Sequence, residues 1–252
     1  MHHEFLDLQA FQAGISYRMK TLLVTGTDTG VGKTWISALL VRHFRKHGIR
    51  TGAYKPVCSG AEMASDGNFV WADVEALRAA CGNEPPLDRV CPQRFHAAVA
   101  PNVAAALEGR TVNDHQLADA INAWSPFADQ LIVEGAGGIF CPLSNQSTVM
   151  ELARKLNGPV IVVAANRLGV INHTRLTVNA LQSQGLKVTA IVLNETAAEV
   201  LKNSDPSTST NALQLMHWVP NIPLFHCDFG AEALTAVSLE VSCPDIPPFA
   251  NA

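Results

Sequence analysis

The sequence has no Cys-x-x-Cys pair, no His/Cys cluster at zinc-finger spacing, no long basic run and no apolar stretch of membrane-spanning length. Each absence removes a class of function. Without paired or finger-spaced cysteines, Cys58, Cys81, Cys91, Cys141, Cys227 and Cys243 are expected to be buried, reduced thiols. That expectation suits a reducing compartment, hence a cytoplasmic location. A net charge of −4 without a basic run argues against nucleic acid or an anionic membrane as the main partner. Glu4 and Asp7 interrupt the N-terminal segment, so it lacks the apolar centre of a signal peptide. No run of roughly 20 apolar residues is available to span a bilayer. Charged residues are also scarce, at 16% against 48% apolar, a balance that favours a compact core over disorder.

What is present is an alternation of strand-like and helix-like segments. Residues 21–26, 51–57, 130–135, 159–165, 187–195 and 221–225 are short apolar runs with strand character. Between them, residues 35–47, 73–81, 112–124 and 173–185 carry helical apolar spacing. Thr148 and Glu151 form a candidate capping box that opens a helix through Leu156. The proline-containing stretch 82–102 is expected to be irregular, and residues 203–210 to be a mobile surface loop. The pattern predicts an α/β fold: one P-loop NTPase-like parallel sheet flanked by helices on both faces. Residues 1–18 are read as an N-terminal extension, disordered in expectation. Residues 19–240 form the domain, and 241–252 a Pro-rich tail. Ligands on such sheets bind beyond the carboxyl ends of the strands.

The first strand ends in Gly26-Thr27-Asp28-Thr29-Gly30-Val31-Gly32-Lys33-Thr34, followed directly by a helical pattern. Glycines let backbone N–H groups turn toward an anion, and the helix N-terminus adds partial positive charge. Lys33 then reaches β/γ-phosphates and the Thr34 hydroxyl serves Mg²⁺. The spacing between Gly26 and Gly32 exceeds the common P-loop by one residue. A dinucleotide fingerprint is disfavoured, because Trp35 stands where Gly or Ala would follow Gly32.

Three further residues fit phosphoryl chemistry. Glu134 closes the apolar strand LIV, where P-loop proteins hold a carboxylate near magnesium; a strand cap or a local ion pair is the plainer alternative. Asp73 opens a predicted helix, so a simple N-terminal cap competes with a metal role. Lys55 sits in an apolar strand end, where a buried ammonium needs an anionic partner. A solvent-facing lysine is the alternative.

GTDTGVGKT, YKPVCSG, VEGAGG, LGVINHT and VLN occur in this order from Met19 to Phe225. Together they resemble the dethiobiotin synthetase family, including the extra residue in the phosphate loop. The resemblance implies an ATP- and Mg²⁺-dependent ligase that closes the ureido ring of dethiobiotin from 7,8-diaminopelargonic acid and CO₂. It implies that Thr29, Gly30, Val31, Gly32, Lys33 and Thr34 handle phosphates and metal. It implies that Lys55 contacts the carbamate and the transferred phosphoryl group, and that Asp73 and Glu134 join Thr34 on Mg²⁺. Ser59, Gly137 and Gly138 would face the diamine. Leu168, Gly169 and Asn172 would reach its carboxylate across a homodimer interface. Asn194 would read adenine, with Pro223 nearby. Some members carry Glu where this chain has Gly30, which leaves nucleotide preference open. Partition- or Min-type switch ATPases would need a lysine at Asp28, and amidotransferases of the cobyrinate type a glutaminase domain for which this chain is too short.

Overall fold

Continuous apolar runs cannot alternate between core and solvent, so the strands they form are covered on both faces. The computed structural model describes residues 19–196 and 205–237. It contains a seven-stranded sheet made of β1 (Lys20–Gly26), β2 (Thr51–Tyr54), β3 (Gln130–Gly138), β4 (Val160–Ala165), β5 (Val188–Asn194), β6 (Leu224–Cys227) and β7 (Thr235–Ala236), in the order β7-β6-β5-β4-β1-β3-β2. All neighbours pair in parallel except β6 and β7. Every residue of β4 and β5 is buried.

The main helices are α1 (Lys33–Lys46), α2 (Ala72–Ala80), α3 (Val149–Leu156), α4 (Val170–Ser183) and α5 (Asn211–Trp218). The chain leaves β1 toward β2, returns through β3 and then crosses β1 to β4. Right-handed crossovers therefore set α1 on one face of the sheet and α3 and α4 on the other. That reversal at β1 opens a crevice at the carboxyl edge, directly over the phosphate loop. No helix among the described residues is long and apolar enough to cross a membrane.

Most element boundaries follow the sequence pattern. The capping box forms as expected: Thr148 N donates to Glu151 Oε2 at 2.8 Å, and Met150 N donates to Thr148 Oγ1 at 3.1 Å. The strand expected over 51–57 is broken, however. β2 stops at Tyr54, Lys55 N turns to donate to Val90 O at 2.8 Å, and Pro56 has no N–H to continue the ladder. Val57–Cys58 then pairs with Gln93–Arg94 in a separate two-stranded sheet. The stretch 82–102 is accordingly more ordered than its prolines suggest. It contains a helical turn at Leu87–Val90 and that small strand, and it runs into a helix over Pro101–Leu107. The helix expected at 112–124 is α-helical only over Asp114–Asp119 and continues as 3₁₀ over Ala120–Trp124. α4 starts earlier than expected, because Gly169 in the left-handed region caps it. Residues 206–209 of the expected loop form a 3₁₀ turn capped by Asp205. The extension 1–18, residues 203–204 of that loop and the tail 241–252 lie outside the described residues.

Five cysteines among the described residues are free thiols, and four of them are buried. Burial pushes the Cys58 and Cys81 thiols up to about 11, so both stay neutral and inert at physiological pH.

Candidate active site

Strand β1 delivers the loop from Gly26 to Thr34 to the crevice. Gly32 caps α1 with φ +91°, and a Cβ there would lie 2.1 Å from Asn194 Nδ2. Only glycine fits both constraints. Asn194, at the end of β5, donates Nδ2 to Val31 O at 3.0 Å and ties the loop to the sheet. Gly30 also has positive φ, but nothing lies within 4 Å of where its Cβ would be. Lys33 Nζ folds back to donate to Asp28 O at 2.9 Å. Burial holds the Lys33 ammonium below its ordinary value, with Glu134 opposing and the nearby Lys55 reinforcing the shift.

Lys55 meets the loop from β2. Its Nζ donates to Glu134 Oε1 at 2.6 Å and to Asp73 Oδ2 at 2.5 Å. Glu134 Oε1 also accepts from Thr34 Oγ1 at 2.9 Å. The residue after β2, the middle of β3 and the starts of α1 and α2 thus converge on one cluster. Burial by itself would lower the Lys55 pKa, but Glu134 and then Asp73 outweigh it and hold it above the ordinary lysine value. Asp73 is likewise pulled below the usual carboxylate range: burial pushes it up, and Lys55 with Thr34 more than offsets that. The helix-cap alternative for Asp73 is not realised, because Trp71 occupies the cap position and no side chain caps that end.

Thr34, Asp73 and Glu134 offer only oxygen donors, the type a hard divalent cation takes. Glu134 is 1% exposed, and its second oxygen, Oε2, is buried without a hydrogen-bond partner. An orphaned carboxylate oxygen at that depth is costly unless a cation uses it. No group of three or more His, Cys, Asp or Glu side chains that could hold a metal occurs among the described residues. The donor set therefore suits an ion that arrives with phosphate oxygens rather than one held in a protein cage.

The opposite wall is the end of β3 and the turn that follows it. Gly137 has φ +58°, and a Cβ there would crowd Cys141 Sγ at 2.9 Å and approach Thr29 Oγ1 at 3.5 Å. Gly138 stacks on the backbone of Gly26 and Thr27. Thr29, Gly137, Gly138 and Cys141 line a groove of about 360 Å³. Cys141, expected to be buried, is instead partly exposed here, because it lies in the turn after Gly138 rather than in the core. Ser59 Oγ donates to Val99 O at 2.6 Å, on the stretch beyond Lys55.

Leu168, Gly169 and Asn172 line a second groove of about 580 Å³ along α4. Leu168 is 79% exposed, and its N–H donates to Asp205 Oδ2 at 2.7 Å. Leu176 borders both grooves, so they meet at α4. Beneath the second groove lies a polar network that sequence reasoning did not foresee. Asn166 Nδ2 donates to Glu195 Oε1 at 2.7 Å, Asn211 Nδ2 donates to Asn166 Oδ1 at 2.9 Å, and His226 Nε2 is 2.9 Å from Glu195 Oε1. Asn166 and Glu195 directly follow β4 and β5 at the carboxyl edge, which was the legible hint.

Pro223 does not join Asn194. It is buried ahead of β6, where its carbonyl accepts from Ile191 N at 2.9 Å. Asn194 pairs instead with Cys227, four residues beyond Pro223, or about 13 Å at strand rise. The chain that follows Cys227 is what reaches the crevice: Trp35 Nε1, near the start of α1, donates to Ala231 O at 3.1 Å.

A family model described as an AAA domain matches residues 20–226. The chain is 42% identical over 206 residues to the ATP-dependent dethiobiotin synthetase BioD of Anaeromyxobacter dehalogenans, covering 82% of this chain and 88% of that protein. It is 40% identical to the enzyme of the same name from Rhodopirellula baltica, covering 77% and 78%. The Yersinia pestis enzyme is 40% identical over 176 residues, covering 70% and 73%. Among solved structures, the cell division protein FtsY of Thermotoga maritima aligns with a TM-score of 0.50 at 17% identity, over 88% of this chain and 66% of that one. That likeness concerns the fold alone. With relatives at this identity over most of both lengths, and with the ordered motifs gathered at one sheet edge, the chain belongs to the ATP-dependent dethiobiotin synthetase family.

Proposed function

We propose that this chain closes the ureido ring of dethiobiotin from 7,8-diaminopelargonic acid, CO₂ and ATP, releasing ADP and phosphate. The observation that carries the proposal is the contact of Lys55 with Asp73 and Glu134, the latter shared with Thr34 of the phosphate loop. One substrate amine adds to CO₂ and loses a proton to give a carbamate. A carbamate oxygen attacks the γ-phosphorus of ATP, the bond to the β-phosphate oxygen breaks and ADP leaves. The second amine attacks the carbamoyl carbon of that mixed anhydride and gives up a proton, phosphate departs and the cyclic urea forms.

The residues act by positioning and by stabilising charge. Backbone N–H groups from Gly30 to Thr34 hold phosphate oxygens, and Lys33 leaves Asp28 O to bind them. Thr29 borders the transferred group from the phosphate loop, across from the turn after β3. An ammonium has three donors, and Asp73 and Glu134 take two from Lys55, leaving the third for a carbamate or phosphoryl oxygen. Thr34, Asp73 and Glu134 would hold Mg²⁺, which supplies charge neutralisation on the phosphates when bound. With Nδ2 given to Val31 O, Asn194 keeps its amide oxygen for the amino group of adenine. Gly30 brings no side chain to the nucleotide, so selectivity there rests on the Asn194 side.

Ser59, Gly137 and Gly138 seat the diamine between the loop and the β3 turn. Leu168, Gly169 and Asn172 of a second subunit receive its carboxylate, since exposed Leu168 and Leu176 suit burial in a homodimer. The free thiols fit the cytoplasm.

Mass-spectrometric detection of dethiobiotin from the diamine, bicarbonate and MgATP tests the reading. Phosphate release that proceeds without the diamine would count decisively against it.

A further inference from the structure

We propose that Lys55 is the resident counter-cation of the divalent-metal site, so that metal entry and partial release of Lys55 from its carboxylates are one exchange. This rests on the roles just proposed for Asp73 and Glu134.

The argument begins with burial. Lys55 is 4% exposed and Glu134 is 1% exposed, so neither charge is solvated by water. Each is tolerable only because the other is present. The Lys55 ammonium touches one oxygen of each carboxylate, Asp73 Oδ2 and Glu134 Oε1. Glu134 Oε1 is also the oxygen that accepts from Thr34. A divalent ion bound by Thr34, Asp73 and Glu134 thus draws on the same two carboxylates that already neutralise Lys55. Glu134 Oε2, buried and unpartnered, gives the incoming ion a first foothold before Lys55 moves.

Charge decides when the exchange runs. Two carboxylates, Lys55 and the nearby Lys33 sum to roughly zero, so a bare divalent ion adds uncompensated positive charge beside two ammonium groups. A polyphosphate brings the negative charge that removes this penalty. The site therefore resists metal alone and accepts metal with nucleotide, and the metal's arrival loosens the ammonium that then faces the carbamate.

The test is binding of Mn²⁺ to the full chain without nucleotide, followed by electron paramagnetic resonance, for the unmodified protein, Lys55→Met and Lys55→Arg. Loss of one positive charge within a few ångströms is expected to tighten Mn²⁺ binding in Lys55→Met by about tenfold or more. Lys55→Arg, which keeps the charge, is expected to stay close to the unmodified protein. Binding in Lys55→Met no tighter than in the unmodified chain overturns the proposal, as does equal tightening in Lys55→Arg. If Lys55→Met does not fold in metal-free buffer, Mn²⁺ is expected to restore a cooperative unfolding transition; no transition at saturating Mn²⁺ overturns the exchange. Dethiobiotin formation by the unmodified chain is measured alongside. Product without tightening removes the exchange alone, and tightening without product removes the assigned reaction alone.

Discussion

Lys33 and Lys55 are both buried ammonium groups, yet their surroundings push them in opposite directions. Lys33 has a backbone carbonyl as its hydrogen-bond partner, and burial lowers its pKa. Lys55 has two carboxylates, and they raise it. The first is a cation waiting for an anion, and the second is already neutralised. Substituting either by alanine is expected to lower turnover by about 10²-fold or more, the scale of losing one preorganised charge stabiliser. Steady-state rates check this, and a near-normal rate in Lys55→Ala would remove that residue from the mechanism. Asp73 gives a stability test with a definite sign. Its folded pKa lies below its ordinary 3.8, so its stabilising contribution is complete above that value and disappears as pH falls through the folded pKa. Its side chain is 46% exposed, so water screens the pair and Asp73→Asn is expected to cost only about 1 kcal/mol at neutral pH. Denaturant unfolding at neutral and at strongly acidic pH should show the difference shrinking in acid; a constant difference would mean the carboxylate charge does not matter to folding.

At the scale of elements, the phosphate loop is held from outside as much as by its own glycines. Gly32 sits in the left-handed region and against Asn194, while Gly30 shares the backbone geometry but has open space around it. The two positions separate backbone strain from contact. Gly30→Ala is expected to cost about 1–2 kcal/mol through φ alone. Gly32→Ala adds a clash at 2.1 Å that pushes Asn194 off Val31. It should therefore weaken nucleotide binding by about tenfold or more relative to Gly30→Ala, as read by calorimetric titration. Equal affinities would show that the Asn194 tether has no part in shaping the loop. The break in the second strand belongs to this scale too. Had β2 continued through Val57, Lys55 would have spent its backbone N–H on the ladder; Pro56 ends the ladder, and the chain turns with Lys55 at its end.

For the molecule as a whole, two grooves meeting at Leu176 span more than the phosphate loop needs. One lies between the loop and the β3 turn, and the other runs along α4 with Leu168 nearly bare at its mouth. Under the proposed reading, a small diamine with a distant carboxylate would place its reacting end in the first groove and its carboxylate against α4 of a second subunit. Leu168→Asp is expected to shift the protein toward monomer in sedimentation velocity and to raise the KM for the diamine by about tenfold, leaving ATP binding unchanged. A fully dimeric Leu168→Asp with normal KM would detach this surface from substrate binding. The side chains of Asn166, Glu195 and Asn211 are hydrogen-bonded to one another at that groove, which ties the segments after β4 and β5 to the start of α5.

The alternation of apolar runs, the glycine-rich loop and the Thr148–Glu151 cap were all legible in the chain, because each is decided by residues a few positions apart. The order of motifs identified the family for the same reason, without any contact being known. What needed the tertiary structure is whatever depends on distance between remote segments. Lys55 meets Glu134 across 79 residues and Asp73 across 18, and no local pattern says that these three side chains share oxygens. Pro223 shows the converse: its strand lies beside that of Asn194, but strand rise separates the two along the sheet, and only register reveals which residue stands at which edge. Periodicity fixes which way a side chain faces, whereas the crossovers of the sheet fix what it meets.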